Sequence, residues 1–115
     1  MNFEFNITKL ENYAIIKLSG ELIERSQATS LLEKTEELVK ENFTRLAIDL
    51  EQLKYMNSSG LNTLIQLLTK ARVGGGEAVL YNMNKKINEL ILITKLHTLF
   101  KISETKEGAI KLLGL

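Results

Sequence analysis

Asn57-Ser58-Ser59-Gly60 is the segment of this 115-residue chain whose residue types and spacing are best suited to chemistry. Two hydroxyls and a carboxamide stand before a stretch in which Leu61, Leu64, Ile65, Leu68 and Ala71 recur at helical spacing. A helix N-terminus carries unpaired amide N–H groups and the positive end of the helix dipole. Asn and Ser are preferred N-caps, so one reading is that Asn57 or Ser58 only caps the helix. The other is that Ser58 stands exposed where an added phosphate dianion is tolerated without collapse of the fold. Tyr55 and Met56, just before it, add apolar area that a partner can cover.

Other candidates carry less. Gly74-Gly75-Gly76 closes a helix and opens a strand, the reverse of a phosphate loop, and lacks both Gly-x-Gly-x-x-Gly and Gly-Lys-Ser/Thr. It reads as a helix stop. His97 is the single histidine and there is no cysteine, which leaves no zinc site of the usual ligands and no metal among the expected ligands. A partly buried structural role is expected for it. Asp49 and Glu51 flank a strand end without a neighbouring nucleophile or base, and the acidic residues of Leu31–Glu41 alternate with lysines as a solvated helix face does. No cofactor and no catalytic residue is expected. Fifteen basic against fourteen acidic residues, net +1, argue against direct nucleic-acid binding. No secretory signal or membrane span is read from the sequence, so no membrane partner is expected and the cytoplasm is the expected compartment.

These residues must be positioned by a fold, and the periodicities outline it. Phe3, Phe5 and Ile7 alternate with polar residues, and Tyr13–Leu18 is a deeper strand ending at Ser19-Gly20, so the two form a hairpin. Ala28, Leu31, Leu32, Thr35, Leu38 and Val39 line one face of a helix for which Ser26 is the expected cap. Leu46–Leu50 reads as a buried strand and the helix after Gly60 follows. Ala78–Tyr81, a helix through Ile87, Leu90, Ile91 and Thr94, a strand Leu99–Ile102 and a helix Thr105–Leu113 complete the chain. The order β-β-α-β-α-β-α-β-α predicts a single α/β domain over residues 1–115, with a mixed, mostly parallel sheet of about five strands and four flanking helices. The expected core is Phe5, Ile15, Leu18, Leu46, Ile48, Leu61, Leu64, Ile65, Leu68, Val79 and Leu90.

With these elements in order, the chain resembles the STAS domain family, in particular the bacterial anti-sigma factor antagonists. The resemblance rests on Leu53, Met56, Asn57, Ser58, Ser59, Gly60 and Leu61 between a buried strand and a helix, and on Gly75-Gly76-Glu77 opening the next strand. Leu18-Ser19-Gly20-Glu21-Leu22 and the stretch Ile87–Phe100, with Thr94-Lys95-Leu96, extend it over nearly the whole chain. It implies a non-enzymatic partner switch. Such a protein binds an anti-sigma factor that is also a serine protein kinase, is phosphorylated on Ser58, and is restored by a serine phosphatase. The partner-facing residues it implies are Tyr55, Met56, Asn57, Ser58, Ser59, Gly60 and Asn62. Asn57 departs from the aspartate of several such antagonists. Within the same family a scaffold or a lipid-transport subunit is an alternative, and a small nucleotide-binding α/β protein is another.

Overall fold

The computed structural model describes residues 2–115, folded with a radius of gyration of 12.7 Å. The N-terminal alternation forms strands β1 (Phe3–Lys9) and β2 (Ala14–Leu22), paired antiparallel from Phe3 opposite Gly20 to Lys9 opposite Ala14. Strands β3 (Arg45–Met56), β4 (Glu77–Tyr81) and β5 (Lys101–Ser103) add in parallel, so spatial order equals chain order. The helices are α1 (Thr29–Lys40), α2 (Ser58–Val73), α3 (Lys85–Ile93) and α4 (Lys106–Leu112).

That monotonic order determines the layers. Each parallel crossover is right-handed, and all three step in the same direction, so α1, α2 and α3 fall on one face of the sheet. Their apolar stripes meet Ala14, Ile16 and Leu18 of β2, Leu46, Ile48 and Leu50 of β3, and Ala78 and Leu80 of β4. The alternate residues Ala47, Val79 and Tyr81 face the other way, where Ala109 of α4 and Leu113 just after it cover them. Burial, and then Asp49 beside it, push the Tyr81 phenol well above the usual tyrosine range.

Of the expected core, Leu18, Leu46, Ile48, Leu61, Leu64, Leu68 and Val79 are buried. Phe5, Ile15, Ile65 and Leu90 are only partly buried. Phe5 lies on the edge strand, and Ile15 faces the side that only α4 covers.

Four local expectations change. Strand β2 runs through Gly20, at φ 90°, to Leu22 instead of ending at Ser19-Gly20. A Cβ at Gly20 would collide with the Asn2 carbonyl, so glycine lets the strand continue past the start of β1. Ser26 does not cap α1: a 3-10 turn, Arg25–Ala28, runs straight into it. Gln27 organises that entry instead, its Oε1 accepting from the Ile23 and Glu24 amides at 2.8 and 2.9 Å and its Nε2 donating to the Glu21 carbonyl at 3.1 Å. His97 lies exposed in a second 3-10 turn, Leu96–Thr98, because Leu96 and Phe100 take the buried positions of that connection. The last strand accordingly begins at Lys101 instead of Leu99.

Candidate functional site at the carboxyl edge of the sheet

Strand β3 is longer than its apolar run Leu46–Leu50 indicates, because two irregularities interrupt simple alternation. Lys17 and Ser19 of β2 face Asp49 and Gln52, and Gly20 and Glu21 face Leu53 and Tyr55. Each step inserts one extra residue into β3, as a bulge does. The core-facing residues therefore run Leu46, Ile48, Leu50 and then Leu53 and Met56, all fully buried. Asp49 and Glu51 lie within this strand, with Asp49 Oδ1 accepting from the Glu51 amide at 3.0 Å. They stand apart from the loop that follows Met56.

Asn57 turns that loop into α2. Its Oδ1 accepts from the amides of Ser59 at 3.0 Å and Gly60 at 3.2 Å, and its Nδ2 donates to the Ile23 carbonyl at 2.9 Å. One carboxamide thus caps the helix and ties it to the end of β2. Aspartate reproduces the first function and lacks the donor for the second. Asn57→Ala is expected to cost about 1–3 kcal/mol, combining a lost cap with a lost bond. Asn57→Asp should cost about 1 kcal/mol, for the Ile23 bond alone. Urea unfolding of the two variants checks the order.

Gly60 is buried because α2 approaches β2 closely there. A Cβ at this position would lie 2.7 Å from Met56 Cβ and closer still to the Leu22 carbonyl oxygen. Gly60→Ala is expected to destabilise the fold by about 1–3 kcal/mol through overpacking, read as a lower thermal midpoint.

The structure divides the expected partner-facing residues into two groups. Ser58 and Asn62 are exposed, and Tyr55, Asn57 and Ser59 are partly exposed. Met56 and Gly60 are buried, so they support the loop from beneath and present no area to a partner. Ser58 is the first residue of a sixteen-residue helix, and its hydroxyl is spared from capping because Asn57 performs it. Sequence reasoning missed Asn84 and Lys86. Asn84 caps α3 through the Ile87 amide at 2.8 Å and donates to the Leu53 carbonyl at 2.9 Å, repeating the device of Asn57 one strand further on. Lys86 Nζ stands 4.9 Å from the centre of the Tyr55 ring, within cation–π range. An asparagine one to three residues past a strand and just before a helical stretch is the signal shared by both sites. The Lys86 contact has none, since residues 55 and 86 meet only through the fold. His97 is outside this region of the chain, beyond the C-terminus of α3.

What the arrangement offers is an exposed hydroxyl at a rigid helix start, not a crevice. Doubly wound sheets bind nucleotides where strand order reverses, and here it never does. Among the described residues there is no group of three or more His, Cys, Asp or Glu side chains able to hold a metal, and no helix is long and apolar enough to cross a membrane. The STAS domain profile matches residues 4–109. The chain belongs to the STAS domain family. Among its STAS relatives, the anti-sigma-B factor antagonist of Bacillus subtilis (strain 168) is 29% identical over 111 residues, spanning 96% of this chain and 100% of the relative. An anti-sigma factor antagonist from Mycobacterium paratuberculosis shares the STAS fold with a TM-score of 0.84 at 18% identity, over 99% of this chain and 96% of the other. The Bacillus cell fate determinant SpoIIAA in its phosphorylated form superposes with a TM-score of 0.71 at 20% identity, over 94% and 97%. The mixed five-stranded sheet with four helices is therefore the STAS architecture.

Proposed function

We propose that this chain is a partner-switching regulator of the anti-sigma factor antagonist type, acting in the cytoplasm without catalysis of its own. Unmodified, it binds an anti-sigma factor that is also a serine protein kinase. Phosphorylated on Ser58 it is released, and a serine phosphatase restores it. The observation that carries this reading is the division of labour at the start of α2. Asn57 consumes the cap, which leaves the adjacent Ser58 hydroxyl exposed at a helix start anchored by Met56, Gly60 and the Asn57–Ile23 bond. A flat, exposed hydroxyl on a rigid element suits a protein partner that must reach it, and the names of the curated relatives agree with that role. Ser58, Asn62 and the Tyr55–Lys86 pair are the groups such a partner meets. The reading is tested by affinity capture on the purified protein from extracts of its own host. Retention of a serine kinase that is lost when ATP has first been supplied supports it. Retention of no kinase at all, at protein concentrations well above micromolar, contradicts it.

A further inference from the structure

The free edge of β1 is separated by β2 from the strand that leads to Ser58, and it is a lightly protected strand. Leu10 N–H donates to the Tyr13 carbonyl and Glu21 N–H to the Asn2 carbonyl, each at 2.8 Å. With the register from Phe3–Gly20 to Lys9–Ala14, the even-numbered residues of β1 therefore turn their backbone groups toward β2. In an antiparallel ladder the residues between them point theirs outward, which leaves Phe3, Phe5, Ile7 and Lys9 with unused groups at the sheet edge. Edge strands are usually blunted by proline, a bulge or an outward charge. Strand β1 is unbroken in register and contains no proline, and its one exposed acidic residue, Glu4, lies on the open side of the sheet. Its one lysine is turned back onto the domain, with Lys9 Nζ 2.6 Å from Glu41 and 5.6 Å from the centre of the Phe43 ring.

We propose that this edge pairs with the same edge of a second copy, antiparallel about a twofold axis at Phe5, to form one continuous sheet. The argument for a second copy is self-complementarity in that single register. Phe5 faces Phe5 of the second copy, and Phe3 faces its Ile7, so apolar meets apolar on the core side. On the open side Glu4 faces Asn6 of the second copy, and no like charges oppose. Shifting the register one way sets Glu4 against Glu4, which is unfavourable. Shifting it the other way sets Phe3 against Lys9, whose charge is already engaged by Glu41. The groove between β1 and α1 beside the edge presents both signs, with Lys34, Glu37 and Glu41, so two such flanks meet across a twofold axis without a net like-charge barrier.

The test is sedimentation velocity over a broad concentration series, with two variants at exposed Asn6. Asn6→Glu preserves the monomer, because its neighbour on β2 is Lys17, while setting Glu against Glu4 twice across the axis. Asn6→Lys sets opposite charges there instead, while placing a lysine opposite Lys17 within the monomer, a cost that thermal melting of the dilute variant reads separately. The wild-type protein is expected to pass from monomer to dimer as concentration rises. Asn6→Glu should need at least about tenfold more protein for the same dimer fraction, and Asn6→Lys about tenfold less. Amide exchange at Phe5 and Ile7 should slow with association. A monomer at all concentrations, a dimer indifferent to both substitutions, or one weakened equally by both overturns the proposal. None of these outcomes depends on Ser58 or on a kinase.

Discussion

Ser58→Asp is expected to unfold at or slightly above the wild-type midpoint and to bind the kinase partner at least about a hundredfold more weakly. The two halves of that expectation have different causes. In the free protein, a negative charge on Ser58 lies at the start of α2, where the helix dipole favours it by up to about 1 kcal/mol. The gain is no larger because Asn57 already accepts the Ser59 and Gly60 amides, and the Leu61 amide donates to the Asn57 carbonyl. Under a partner surface the same charge is stripped of water, and a buried charge without a matched partner costs several kcal/mol. A phosphate, with close to two charges, acts in the same sense and more strongly. Ser58→Ala should keep binding and resist phosphorylation, whereas Ser59→Ala should remain a substrate, since Ser59 is partly covered one position into the helix. Thermal melting paired with calorimetric binding to the captured kinase separates the effects. Tight binding by Ser58→Asp, or loss of binding only through unfolding, removes Ser58 from the switch.

Ile48→Ala and Leu64→Ala are each expected to cost about 2–5 kcal/mol of stability, the usual range for a buried aliphatic. Ile48 sits in the middle of β3 and Leu64 in the facing turns of α2, both with no exposed surface. Truncation opens a cavity between a strand paired on both sides and the helix that covers it, where little can collapse inward. A domain of this size has a total stability of about 5–15 kcal/mol, so either variant takes a large part of it. Midpoints in urea within a few tenths of a kcal/mol of wild type would contradict the packing described.

Element order and sheet direction were legible because they rest on periodicity and on the handedness of crossovers. The strand Leu46–Leu50 and the face formed by Leu61, Leu64 and Leu68 are cases where pattern and packing agree. Strand β3 beyond Leu50 was not legible: two bulges space Leu50, Leu53 and Met56 three apart, and that spacing does not read as a strand. For the same reason Met56 read as surface beside Ser58, when the bulge turns it into the core. The continuation of β2 through Gly20 was hidden by a residue that usually ends strands and here lets one pass the other chain segment. The cap at Asn57 was legible as a type of residue before a helix. Its second bond, to Ile23, was not, because it joins segments 34 residues apart. Ser26 failed as a cap because Gln27 offers two acceptor bonds to the amides before it and draws the chain into a 3-10 turn.

Site-resolved mass spectrometry of the protein isolated from its own host, with and without phosphatase treatment, tests the central claim most directly. A phosphate on Ser58 that the phosphatase removes, with Ser59 unmodified, is the predicted result. Ser58 unmodified under every growth condition in which the captured kinase is active, or phosphate carried on Ser59 instead, would contradict it.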